Sequence, residues 1–326
     1  MATSMQQAHA SALRAAPVAA RRTVSLRSKL ARDRSLLVMV APAVILLLTF
    51  TYIPLLGNVV AFMDFVPYLP LSESPWVGTA NFQAMFEDPA FWNATWNTLQ
   101  INGLQLIFSF PIPLMLALLL HSVLSPVIRG VVQSVIYLPH FLSWVIVVAM
   151  FQQTLGGTGA VTDVLRSMTG ESVNLMTNPG TFKALIVAQG VWKDAGWGTI
   201  LFLAALTAID YSLYESAAVD GAGGMRRFWH ITLPGIRPII VLLLILQLGQ
   251  SLTVGFEQIL LQRDAVGAES AEVLDTYVYF HGVVDGDWSI GVAAGLLKGV
   301  VGLVLILAAN KLAHSLGEQG VYSRDN

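Results

Sequence analysis

The chain contains no cysteine, which removes disulfides, thiolate zinc sites and cysteine nucleophiles together and leaves the redox compartment undetermined. No Gly-Lys dipeptide occurs either, so there is no G-x-x-x-x-G-K-S/T loop to cradle nucleotide phosphates. H-E-x-x-H is missing, and the six histidines are scattered without metal-ligand spacing. No G-x-S-x-G elbow marks a serine nucleophile. Charge is scarce: 12% of the 326 residues carry it, where a soluble domain carries about a quarter. The net charge of −2 says little as a sum, but the lack of a basic folded surface excludes a nucleic-acid binder. What the chain has instead is apolar length. Residues that are apolar or aromatic make up 55%, and the mean hydropathy is +0.65. So few charges cannot form a soluble shell, and lipid must cover much of the surface.

Six stretches are long and apolar enough to cross a bilayer: 36–57, 98–120, 131–155, 182–207, 238–256 and 289–310. A helical crossing takes about 20 residues. The first stretch has no charge, exceeds the apolar length of a secretory signal and lacks a small-residue cleavage site, so it is expected to stay as an anchor. Pro111 and Pro113 predict a kink in the second. Lys193 and Asp194 interrupt the fourth at its centre.

Orientation follows from the basic residues. Arg14, Arg21, Arg22, Arg27, Lys29, Arg32 and Arg34 lie in or beside a basic tail, 1–35. With that tail in the cytoplasm, Arg129, Arg226, Arg227, Arg237, Lys311 and Arg324 also fall inside. Only Arg166, Lys183 and Arg263 fall outside, and Lys193 and Lys298 lie within spans. The positive-inside rule is therefore obeyed, both termini are expected in the cytoplasm, and 63–96 forms an extracytoplasmic loop. The outer loops are acidic, with Asp64, Glu73, Glu87, Asp88, Glu269, Glu272, Asp275, Asp285 and Asp287. A core of 97–313 and a short tail, 314–326, complete the layout.

Between the fourth and fifth spans lies a polar but patterned cytoplasmic loop, Tyr211 to Arg237. Ser212 to Val219 is alanine-rich and reads as a short helix opened by a serine cap. Gly221, Gly223 and Gly224 break it, Phe228, Trp229, Ile231 and Leu233 offer an apolar face, and Pro234 and Pro238 close the segment before the next span. Such a helix, presenting small residues, suits docking into a groove on a soluble partner. Glu215, Ser216, Ala217, Asp220, Gly221, Phe228, Ile231, Leu233 and Pro234 resemble the EAA loop of binding-protein-dependent ABC importer permeases. In that pattern E-A-A is followed by G after three residues and by I-x-L-P after nine more. Ser216 stands in place of the first alanine. Val77 to Leu99 resembles the segment before the second span of MalF-type sugar permeases. Tyr137 to Val147 is more similar to poly- and oligosaccharide permeases of the LplB type.

The resemblance implies an all-α membrane protein with six transmembrane helices, the type I ABC importer permease fold and a cytoplasmic coupling helix at the EAA loop. It implies import of an oligosaccharide across a bacterial cytoplasmic membrane by alternating access. The implied partners are a second similar permease, an ATPase dimer that uses ATP and Mg, and an extracytoplasmic solute-binding protein. The chain itself would then hold no cofactor and perform no catalysis. A permease for a non-sugar solute is the first alternative. A stand-alone secondary transporter is the second, although no internal repeat supports it.

Polar groups inside a bilayer are costly and tend to line a path or bind a neighbour. Candidates for a substrate path are Asn102, Gln105, Trp144, Gln152, Gln189, Trp192, Lys193, Trp197, Gln247, Gln250 and Lys298, since amides and aromatic faces are what sugars bind. Lys193 and Lys298 either touch an acidic cargo or are neutralised by Asp194, Glu257 or the second permease. Gly291, Gly295, Gly299 and Gly302 suggest close packing in the sixth span.

Overall fold

The computed structural model describes residues 33–170, 174–315, 317 and 320. Most of the basic tail, Arg14 to Arg32, and Arg324 lie outside the described residues. The chain divides into two compact units, Met1–Gly57 and Asn58–Asn326. In the first unit, α1 (Arg34–Leu47) continues through a π turn, Leu48–Tyr52, into Ile53–Leu55, and none of these residues is buried.

The second unit is helical throughout; its one isolated bridge among the described residues joins Met63 to Trp76. A short α2 (Ala80–Glu87) leads into α3 (Pro89–Phe108) and α4 (Pro111–Ser122). Next come α5 (Pro126–Tyr137), α6 (Trp144–Leu155) and α7 (Ala160–Thr169). The longest helix, α8 (Pro179–Thr207), is followed by α9 (Tyr211–Val219), α10 (Gly224–Arg227) and α11 (Leu233–Gly249). Four short helices, α12 (Phe256–Leu260), α13 (Arg263–Val266), α14 (Ala268–Ala271) and α15 (Leu274–Tyr279), precede α16 (Trp288–Ser315). Five helical stretches are long and apolar enough to span a bilayer, and α8 with α9, bent by 63°, makes a sixth.

Span boundaries differ from the apolar runs for a local reason. Asp88, Ser125 and Asn178 each cap a helix whose first residue is proline, accepting from the N–H of Ala90, Ile128 and Gly180. Proline suits that position because its missing N–H is not needed there. The second crossing thus starts at Pro89, inside what reads as the 63–96 loop, and breaks at Ser109–Phe110 ahead of Pro111. The third is not one helix over 131–155. Pro139 interrupts it with a 3-10 turn, Leu138–Phe141, and Ser143 caps the restart. The fifth begins at Gly224 and not at Pro238, so Pro234 and Pro238 lie within it instead of closing the loop before it, and it stops at Gly249.

At the centre stands α8, which buries eleven of its residues. Near its start, Phe182 and Ile186 pack with Ile101, Val254, Ile259 and Val273. Near its end, Phe202 and Leu206 pack with Ala117 and Ile236. At mid-length, Gly196 lies against the Ile136 carbonyl: a Cβ there would stand 1.9 Å from that oxygen. Thr199 Oγ1 donates to the Ala195 carbonyl at 2.7 Å and lies 3.2 Å from the Pro113 carbonyl, and a Cβ on Gly198 would stand 3.1 Å from the Pro113 ring. Both proline breaks are therefore pressed onto one helix.

The short helices α12–α15 close the end of the bundle where α8 begins. Asn97 donates to the carbonyls of Glu269 (3.1 Å) and Glu272 (2.9 Å), and the Leu274 N–H donates to Thr98 Oγ1 at 2.9 Å. Arg263 Nη2 meets Glu272 Oε2 at 2.5 Å, and its guanidinium lies 3.9 Å from the centre of the Phe280 ring. Tyr277 donates to Asp88 Oδ2 at 2.7 Å, and burial, with the Asp88 carboxylate, raises its phenol pKa. Gly291 and Gly302 do pack closely, against Gly282 and the Gly249 carbonyl, whereas Gly295 and Gly299 face open space.

Adding one methyl at Gly196 should displace α8 from the broken third crossing. Gly196→Ala is expected to lower stability by roughly 1–3 kcal/mol, the usual cost of overpacking, read as thermal unfolding in detergent. Gly295→Ala, which meets nothing within 4 Å, should be neutral or slightly stabilising.

Candidate functional site

The polar loop forms an elbow beneath α8. Asp210, not Ser212, caps α9: its carboxylate accepts from the Ser212 N–H at 2.9 Å, and that bond holds the Asp210 carboxyl below its ordinary pKa. The other end of α9 is closed by the backbone. Ala222 N–H reaches the Ala217 carbonyl at 2.8 Å and Gly221 N–H the Ala218 carbonyl at 3.1 Å, the paired bonds of a Schellman motif. That motif needs a left-handed residue, and Gly221 supplies it with φ of +74°. Glu215, Ser216, Asp220 and Gly221 are exposed, and nothing lies within 4 Å of where a Gly221 Cβ would be. Ser216 Oγ turns back to the Ser212 carbonyl. Ala217, Phe228, Ile231 and Leu233 are half-buried, and Pro234 is exposed on the continuing helix.

Within the spans, three of the candidate residues converge at the break between α5 and α6. Lys193 Nζ donates to the freed His140 carbonyl at 2.6 Å, lies 3.7 Å from Asp194 and sits 5.5 Å from the centre of the Trp144 ring. His140 stacks on Trp197 at 4.5 Å with 6° between planes, and its Nδ1 is 2.8 Å from Asp194 Oδ1. Lys193 is buried, but Trp197 and Asp194 are about half exposed, so the cluster presents an open aromatic and carboxylate face. His140 was not among the expected residues. Its signal is a histidine beside a proline inside an apolar run, which bilayer energetics makes unusual.

The other candidates separate. Gln247 and Gln250 share a cleft of about 210 Å³ with Ser109, Pro113 and Gly198 at the second-crossing break. Lys298 pairs with Asp275, not Glu257, in a second cleft of about 460 Å³. Trp192 lines an apolar groove with Leu104, Phe108 and Val191. Asn102 is buried, Gln105 half-buried and Gln152 exposed, in none of these clusters. Gln189 is fully buried and spent on structure: it donates to Gln262 Oε1 at 3.1 Å and accepts from Gln258 at 2.8 Å and Gln262 at 3.0 Å. That amide knot ties α12 to α8.

The stretch that holds the breaks and the elbow also carries the family signature. Residues 109–317 match the family described as binding-protein-dependent transport system inner membrane component. The chain belongs to this family. It is 43% identical to protein LplB of Bacillus subtilis (strain 168) over 311 residues, 95% of this chain and 98% of that protein. It is 43% identical to the polygalacturonan/rhamnogalacturonan transport system permease protein YteP of the same strain, over 90% of this chain and 92% of that one. Among solved structures, a chain of a bacterial alginate ABC transporter, in complex with an alginate pentasaccharide-bound periplasmic protein, matches with a TM-score of 0.83. Identity there is 37%, covering 91% of this chain and 99% of that chain. The chain is thus an inner-membrane permease with the type I permease fold. Lys193 and Lys298 each lie beside one of the chain's own carboxylates, Asp194 and Asp275, so neither is a bare cation.

Because Gln189 is sealed inside the permease, Gln189→Leu should act on stability and not on cargo recognition. Leaving Gln262 Oε1 without its donor is expected to cost about 1–3 kcal/mol, seen as earlier thermal unfolding. The half-saturating substrate concentration for uptake should stay at the wild-type value; a shift there at unchanged stability would put Gln189 on the path.

Proposed function

We propose that this chain is one membrane subunit of an ATP-driven importer that moves an oligosaccharide or polysaccharide fragment across the bacterial cytoplasmic membrane by alternating access. The observation that carries this reading is the near full-length likeness to permeases named for polygalacturonan/rhamnogalacturonan and for alginate. The exposed stack of His140 on Trp197 beside Asp194 supports it, because sugars pair flat C–H faces with aromatics and hydroxyls with carboxylates. A second permease, an ATPase dimer using ATP and Mg, and a solute-binding protein complete the assembly. Both termini and the elbow lie in the cytoplasm, as the basic residues require.

Glu215, Ser216, Ala217, Asp220 and Gly221 form the face offered to the ATPase, while Phe228, Ile231, Leu233 and Pro234 carry the loop into the fifth span. The unencumbered surface around Gly221 supports this assignment, since a docking partner needs bare backbone to approach. Closing of the ATPase would turn the elbow and, through α8, the bundle.

Reconstitution tests the whole reading. The purified chain alone in proteoliposomes should neither hydrolyse ATP nor accumulate sugar; ion-driven uptake by it would favour a secondary transporter. A panel of uronic-acid and neutral oligosaccharides, offered to the solute-binding protein, identifies the cargo class. Gly221→Val forces a β-branched residue into a left-handed turn at a cost of about 1–3 kcal/mol. It should insert normally yet lose ATPase association or uncouple hydrolysis from uptake. Glu215→Lys should do the same more mildly, and Asp285→Asn, in the loop before α16, should leave ATPase docking intact. Wild-type transport by both loop variants would remove the elbow from the coupling role.

A further inference from the structure

The elbow is fastened to the fifth crossing as well as to α8. Ile209, in the bend between α8 and α9, lies on Gly235, where a Cβ would stand 2.8 Å from Ile209 Cδ1. One turn into α9, the Tyr214 hydroxyl is hydrogen-bonded to Thr232 Oγ1 at 2.9 Å, across 18 residues of sequence. Tyr214 is half-buried and Thr232 is buried, so water does not readily replace that bond. Covalently, by contrast, α9 reaches the fifth crossing only through Asp220 to Gly223, where Gly221 is left-handed.

Thr232 ends a π turn, Phe228–Thr232, in which the Leu233 N–H bonds back to the Phe228 carbonyl. The cause is in the sequence. Pro234 has no N–H for the His230 carbonyl, and Pro238 has none for Pro234, so two ladder bonds are missing in succession. The same arrangement occurs in the first crossing, where the π turn Leu48–Tyr52 is followed two residues later by Pro54. Widened turns of this kind are uncommon and cluster at functional sites. Here the π turn, short of two ladder bonds, lies between loop and span.

We infer that the Tyr214–Thr232 hydrogen bond is a positioning contact that locks the elbow to the root of the fifth span, so that α8 and α11 are driven together. The inference rests on the coupling role proposed for the loop and adds the residue pair that carries the motion past the π turn. Tyr214 touches neither cargo nor nucleotide; it acts through Thr232.

The test uses the complete importer in proteoliposomes, with uptake of an alginate or polygalacturonate oligosaccharide and ATP hydrolysis measured at matched amounts of assembled complex. Tyr214→Phe, which removes only the hydroxyl, should lower the number of molecules imported per ATP about fivefold, the equivalent of one hydrogen bond of ~1 kcal/mol. Thr232→Val should do the same, the double variant should be no worse than either single one, and Thr232→Ser should retain the wild-type ratio. An unchanged ratio in Tyr214→Phe overturns the inference. So does a proportional fall in uptake and hydrolysis, which marks a merely structural role, and so does multiplication of the two single effects. Gly221→Val, run in parallel, separates the layers. If it uncouples while Tyr214→Phe does not, only the clasp is wrong; if both leave the ratio intact, the coupling role of the loop fails and the clasp with it.

Discussion

Hydrocarbon offers no hydrogen bonds, so each backbone group released inside a bilayer must find a partner within the protein. This chain releases several, because it breaks its second and third crossings at Pro111 and Pro139. One helix collects the consequences. Lys193 takes the His140 carbonyl and Gly198 packs on the Pro113 ring, while Gly196 lets the α8 backbone come flush with Ile136. Removing α8 would strip the His140 carbonyl of its donor and uncover the packed faces of both breaks. Its eleven buried residues are a measure of how much of the second unit leans on it.

The two ends of that helix live under different rules. At its start the short helices α12–α15 are pinned by side chains that bond to backbone, and every amide of the Gln189, Gln258, Gln262 knot is used. Buried networks of that completeness confer rigidity. At its end the chain turns through 63° into α9, whose surface is mostly exposed and whose closing bonds are backbone only. One end is built to hold still, the other to be gripped.

How far this architecture was legible depended on which physical signal each element uses. Apolar length located the crossings, and the glycine six residues after Glu215 foretold a turn that proves to be left-handed. Helix starts lie upstream of the apolar runs because hydropathy is blind to capping. Asp88-Pro89, Ser125-Pro126 and Asn178-Pro179 spell cap and first residue in plain sequence, and reading them would have moved three boundaries. Pro234 and Pro238 do not stop the fifth helix, because a π turn upstream accommodates them. The pairing of Lys298 with Asp275, 23 residues away, and the burial of Gln189 are tertiary facts. Composition marks such residues as polar in a greasy setting but not whether they face a path or one another.

The pairing of the two membrane lysines has a kinetic meaning. A lysine clamped by its own carboxylate or by a carbonyl presents a dipole to a passing solute, and a dipole's field fades faster with distance than a charge's. An anionic solute meeting Lys193 or Lys298 would find a shallow well in place of a deep one. Permeation needs sites that are favourable enough to enter and weak enough to leave. Asp194, Asp275 and the His140 carbonyl are spent on these lysines, so the positive charge at both positions is offset from within the chain.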